Sequence, residues 1–227
     1  MGKQVLLVGA TGLVGQGVLE VFLQAADITG VTVLVRRSFA VRHPKLTVLQ
    51  VPAFTAEALA GLDLRGHDAC LYCAGPLPIG MSEATYREAT VATLARVVKT
   101  YAAANPDGYV ACVSGMGADA GSWVMPLRVK GEAEAVLARS GLAHTSLRPG
   151  VVRPVLGEVS PHRPRRWLYA LGDPALAVAG RLLPGVLTTT RAIGECMLRL
   201  VRMEGARPLV IDNADIARNR DCRPAPD

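Results

Sequence analysis

Apolar residues along this chain follow two alternating patterns, a short unbroken run and then a run spaced for one face of a helix. Val5 to Val8 is unbroken, as expected for a parallel strand covered on both faces, whereas Leu13, Val14, Val18, Val21 and Phe22 recur at helical spacing. Residues 31–35, 46–51 and 68–75 repeat the strand pattern, and a short helix is predicted around residues 56–62. Residues 82–104 read as one helix, with Ser82 as its cap and Ala89, Leu94, Val97 and Val98 among its buried positions, until Asn105-Pro106-Asp107-Gly108 stops it. A fifth strand at 109–113 follows, then a helix through Val129, Lys130, Glu132 and Val136 to Ser140, then a strand at 144–147. Beyond Val152 the pattern weakens: 173–183 and 188–203 read as helices and 209–211 as a short strand. This alternation predicts an α/β fold with a doubly wound parallel sheet, built as one domain over residues 1–227, with 152–227 forming a C-terminal cap on the substrate side.

The first strand–helix junction carries the most chemistry. It reads Gly9-Ala10-Thr11-Gly12-Leu13-Val14-Gly15, glycines spaced G-x-x-G-x-x-G. Gly9 lets the backbone leave the strand sharply, Gly12 lets it approach a pyrophosphate with no Cβ in the way, and Gly15 permits close helix–strand packing. The helix N-terminus then faces the anion. An ordinary tight turn is the bland alternative. The second strand ends in Arg36-Arg37-Ser38. An acid at this place would accept bonds from an adenosine ribose 2′-hydroxyl, whereas arginine pairs with a 2′-phosphate, so NADP(H) is favoured over NAD(H); a solvated basic strand end is the alternative. Ala74-Gly75-Pro76 sits where the backbone should pass close to the cofactor's ribose or pyrophosphate. Ligands of doubly wound sheets bind beyond the carboxyl ends of the strands, and the glycine turn, Arg36, Gly75, Ser114 and Pro149 all fall at such ends. Five segments thus converge on one edge. The cofactor-binding candidates are Gly9, Thr11, Gly12, Leu13, Val14, Gly15, Arg36, Arg37, Ala74, Gly75, Pro149 and Val151.

Composition narrows the classes. A chain of 227 residues, 50% hydrophobic and 19% charged, can bury a full core and is not generally disordered. No apolar run is long enough to span a bilayer, and the first strand begins too early for a signal peptide, so a cytoplasmic location is expected. The net charge of +6 raises the question of nucleic acid. Its arginines are scattered, and the one dense group, Arg163, Arg165 and Arg166 beside His162, has no aromatic platform with it, so no nucleic-acid partner is expected. Five cysteines do not suggest a disulfide framework. Cys70 and Cys73 form a C-x-x-C within a strand, where residues three apart face opposite ways, so they read as buried small hydrophobes; no metal site is expected.

Together the glycine turn, Ser114, Lys130-Gly131-Glu132 and Arg148-Pro149-Gly150 resemble the atypical short-chain dehydrogenase/reductases, NAD(P)-binding proteins with a Rossmann-like fold. The resemblance is nearest to the Tat-interacting-protein oxidoreductase branch. It extends through Thr188-Thr189-Thr190-Arg191-Ala192 and Val210-Ile211-Asp212-Asn213 near the end. It implies binding of NADP(H), with Lys130 holding the nicotinamide ribose and Ser114 polarising a substrate oxygen. The family's proton-donating tyrosine stands four residues before that lysine. Pro126 occupies the position, and proline has no ionisable proton. The leading expectation is an oxidoreductase of a small carbonyl or alcohol with Ser114 and Lys130 as catalytic candidates; the alternative is a catalytically silent dinucleotide sensor or partner-binding protein. Trp167, Tyr169 and Leu171 are candidates for the substrate wall, and the sequence leaves oligomeric state open.

Overall fold

A computed structural model describes residues 2–158 and 185–218. The chain is organised around β1 (Lys3–Val8), whose side chains alternate between two cores: Val5 and Leu7 enter one, Leu6 and Val8 the other. β2 (Ile28–Val35) and β3 (Leu46–Gln50) extend the sheet on one side of β1. β4 (Ala69–Tyr72), β5 (Tyr109–Val113) and β6 (Ala143–Arg148) extend it on the other. With β9 (Val210–Asp212) at the far edge, all seven strands are parallel in the order β3-β2-β1-β4-β5-β6-β9. The order reverses between β1 and β4. Crevices in sheets of this kind open where strand order reverses.

Helices α1 (Leu13–Gln24) and α6 (Thr190–Arg202) cover one face and pack on each other through glycines. A Cβ on Gly17 would lie 2.5 Å from the Thr190 Cβ, and one on Gly194 would lie 2.9 Å from Val21 Cγ2. The opposite face carries α2 (Ala56–Ala60), α4 (Thr93–Ala104) and α5 (Met125–Ala138). Thr55 caps α2. A short helix α7 (Asn213–Ala217) follows β9.

Two expected elements need correction. The helix expected over 82–104 is in fact α3 (Glu83–Arg87), a π turn (Glu88–Ala92) and α4, although Ser82 does cap it by accepting from the Thr85 amide. The π turn adds a residue to the helical circuit and rotates Ala89 to a half-buried position, while Tyr86 is buried. The helix expected from residue 188 is preceded by β8 (Leu187–Thr189), which pairs with β7 (Val151–Arg153) in a small second sheet; Thr189 then caps α6. The helix expected at 173–183 lies outside the described residues. Cys70 and Cys73 do pack on opposite faces, and both are free thiols.

Candidate functional site

The site begins where β1 and β4 part. Gly9 has φ of 92°, in the left-handed region, and a Cβ there would lie 2.6 Å from the Ala74 amide nitrogen. The β1 and β4 exits can therefore touch only because residue 9 is glycine. The turn closes with the Gly12 amide donating to the Gly9 carbonyl at 3.0 Å. Gly15 presses on that turn from the first helical coil, since a Cβ would lie 2.1 Å from the Gly9 oxygen. Its packing is thus against the turn, as much as against the strand. Gly12 is different: the nearest atom to a Cβ there is 3.4 Å away, and the residue lines a cavity.

That cavity holds about 260 Å³. Its wall is made by Gly12 to Val14, the β4 exit from Tyr72 through Leu77, Tyr86 and Thr90, the β5 end at Ser114, Lys130 and Glu134 of α5, and the β6 exit at Pro149 and Gly150. Main-chain bonds align the exits. The Ser114 amide donates to the Leu147 carbonyl at 2.8 Å and the Met116 amide to that of Pro149 at 2.9 Å, so β5 and β6 leave the sheet side by side. Asn213 fastens the next bend by accepting from the Gly150 amide at 2.8 Å.

Lys130 and Ser114 meet. The Lys130 ammonium donates to the Ser114 backbone carbonyl at 2.7 Å, passing over Gly115, where a Cβ would sit 2.3 Å from Nζ. α5 comes close enough because Gly131 faces the backbone of Asp119 and Ala120, 2.1 Å from a hypothetical Cβ. Burial lowers the Lys130 pKa, partly opposed by the Glu134 carboxylate nearby. The Cys112 thiol is itself pushed up to about 12 by burial, so it stays protonated. Behind Lys130, Arg148 clamps Glu134 with two bonds of 3.0 and 2.6 Å, joining β6 to α5. On the other side, Arg87 donates to both carboxylate oxygens of Glu132 at 2.7 Å, and Arg128 donates to Glu83 at 2.8 Å, tying α3 to α5.

Of the residues expected from sequence, Gly12, Leu13, Val14, Ala74, Gly75, Ser114, Lys130 and Pro149 line this one cavity. Gly9 and Gly15 shape it without lining it. Val151 does not line it and is 42% exposed; Gly150 and Val152 on either side do. Thr11, Arg36 and Arg37 are exposed outside it, Arg36 with its guanidinium 5.7 Å from the Phe54 ring. Pro126 stands in the first turn of α5, so no phenol rises there. Sequence reading missed Tyr72 and Tyr86. Both look like core residues in their own elements, and only the fold brings them beside Ser114. Trp167, Tyr169, Leu171 and the basic group at 163–166 lie outside the described residues. Among the described residues no helix is long and apolar enough to cross a membrane.

A family model described as NAD(P)H-binding matches residues 9–154, the stretch that contains the turn, Ser114, Lys130 and the β6 exit. The chain belongs to this NAD(P)H-binding family. No curated protein matches it by sequence. The NAD(P)H-binding chain is similar in fold to a short chain dehydrogenase family protein from Francisella tularensis, with a TM-score of 0.66 at 15% identity over 96% of this chain and 100% of that one. A short chain dehydrogenase from Burkholderia cenocepacia, solved with NADP, gives 0.64 at 16% identity over 96% and 92%. The Bordetella bronchiseptica enzyme WbmF, solved with NAD+, gives 0.67 at 14% over 96% and 77%.

The residues present fit such a cofactor. Gly12 leaves the turn open where a Cβ would otherwise project, α1 presents its N-terminus, and the buried Ser114 hydroxyl has no partner among the described residues.

Proposed function

We propose that this protein binds NADP(H) across the strand ends and acts as an oxidoreductase on a small carbonyl or alcohol. The carrying observation is the convergence of the glycine turn, the β4 exit, Ser114 and Lys130, distant in sequence, on one cavity. The cofactor, when bound, supplies or accepts the hydride. Everything else falls to the chain. The amides at the start of α1 face the pyrophosphate, with Gly12 keeping the approach clear. Thr11, Leu13, Val14, Ala74, Gly75, Pro149 and Val151 complete the cofactor-binding set. Arg36 and Arg37 at the end of β2 pair with a 2′-phosphate, which gives the preference for NADP(H). Lys130, already anchored at the Ser114 carbonyl, donates to the nicotinamide ribose. Ser114 orients the substrate oxygen through its free hydroxyl. Residues 152–227 cap the substrate side, and the protein works in the cytoplasm. The Gly-Ala-Thr-Gly-x-x-Gly motif supports the short-chain dehydrogenase/reductase superfamily, and the Val-Lys-Gly-Glu and Arg-Pro-Gly pieces support its Tat-interacting-protein oxidoreductase branch.

Pro126 favours a second reading, a catalytically silent dinucleotide sensor or partner-binding protein, because a general acid contributes about 10²–10⁴-fold to reactions of this kind. Transient absorbance at the nicotinamide band, across a panel of aldehydes and ketones, separates the two. The reductase reading expects rapid NADPH oxidation that falls to background in Ser114→Ala and Lys130→Ala. Tight NADPH binding with no oxidation identifies the sensor, and unchanged turnover in both variants contradicts the residue assignment.

A further inference from the structure

Sheet register places a second hydroxyl beside Ser114. Tyr72, the last residue of β4, is the register partner of Cys112 in β5, and Ser114 lies two residues further along. By strand alternation the side chains at 72, 112 and 114 share one face, the face covered by α4 and α5. Diagonal neighbours of this kind lie about 7–8 Å apart at Cα, a gap that a tyrosine can bridge. Both residues line the cavity. Tyr72 is 2% exposed and Ser114 7%, and neither hydroxyl has a hydrogen-bond partner among the described residues. Buried hydroxyls are nearly always paired, so unpaired hydroxyls gathered on one cavity wall point to a ligand that pairs them. Thr90, on the same wall one helical turn after Tyr86, carries a third unpaired hydroxyl, which lies further round the wall on the π turn.

We propose that the Tyr72 and Ser114 hydroxyls together hold the oxygen of a carbonyl ligand in this cavity, so that β4 supplies the phenol that α5 lacks at Pro126. The proposal rests on reading the cavity as the cofactor and substrate site. Tyr72 acts as a hydrogen-bond donor and keeps its proton. Burial raises its pKa, and Cys112 and Cys70 add to the effect, so the phenolate is excluded at neutral pH.

The test uses the full chain loaded with NADPH and titrated with isobutyramide, whose amide carbonyl accepts hydrogen bonds but is not reduced by a nicotinamide; the fluorescence of bound NADPH reports binding. Tyr72→Phe and Ser114→Ala are each expected to weaken isobutyramide about tenfold, with NADPH affinity of Tyr72→Phe within about twofold of the natural protein. Without ligands, Tyr72→Phe is expected to melt at the same temperature or higher, because it removes a buried hydroxyl with nothing to bond. Undiminished isobutyramide affinity in Tyr72→Phe, no isobutyramide binding by the NADPH-loaded natural protein, or a clearly lower melting temperature for the ligand-free variant would each overturn the proposal. If NADPH itself does not bind, the cofactor reading fails and this proposal fails with it.

Discussion

Three glycines in one seven-residue turn do three different jobs, and substitution separates them. Gly15→Ala drives a methyl group into the Gly9 carbonyl, where only backbone can give way, and should destabilise the protein by about 1–3 kcal/mol, read as a lowered melting temperature. Gly12→Ala meets nothing closer than 3.4 Å in the protein, so its stability should change by less than about 1 kcal/mol. Its methyl group would narrow the cavity wall where the proposed function puts the pyrophosphate, and NADPH affinity should then fall at least about tenfold. Equal loss of stability in both variants would contradict this division. The spacing of these glycines was legible in the sequence, and so were Ser114 and Lys130. What the sequence could not show was that Lys130 reaches the Ser114 carbonyl because Gly115 leaves the path open and Gly131 lets α5 approach.

The strands were read from their unbroken apolar runs because a parallel strand covered on both faces demands them. Period-based reading failed where a helix changes its own period. The π turn at Glu88–Ala92 carries no composition signal, yet it lines the cavity with Thr90 and receives the packing of α5. Helical spacing extends the last long helix back over Thr188 and Thr189, although β-branched residues suit β8 equally well and Thr189 is the cap of α6. The α1–α6 contact was equally hidden, since Gly17 and Gly194 look like poor helix residues until the two helices are seen to cross there. The far end of α6 is tied to the start of β2 by Arg202, which donates to both oxygens of Asp27. The hydrogen bond from Arg202 holds the Asp27 carboxyl below its ordinary 3.8. A depressed carboxylate contributes stability that is present above the unfolded value and is lost as pH falls through the folded one. Both side chains are more than 40% exposed, so the pair is worth under about 1 kcal/mol after screening. Asp27→Asn should therefore melt slightly below the natural protein at neutral pH, and the gap should close as pH drops below 3.8. A gap that is constant with pH would show that the ion pair contributes nothing.

At the scale of the molecule, parallel winding brings five separated segments to one edge, and the reversal of strand order between β1 and β4 opens the cavity there. The convergence followed from strand–helix alternation alone, whereas the place of the reversal did not. The small β7–β8 sheet and Asn213, which stitches its start to the β6 exit, were not legible, because they depend on contacts between residues more than 30 positions apart. In the proposed function, cofactor choice is likewise decided at long range, by Arg36 and Arg37 acting on a dinucleotide whose other end lies near Lys130. The most direct test is calorimetric titration of the purified protein with NADPH and with NADH, repeated on Arg36→Ala/Arg37→Ala. The account predicts NADPH binding at least about tenfold tighter than NADH, with the preference lost in the double variant and NADH affinity unchanged. Binding of neither dinucleotide, or a preference for NADH, would contradict it.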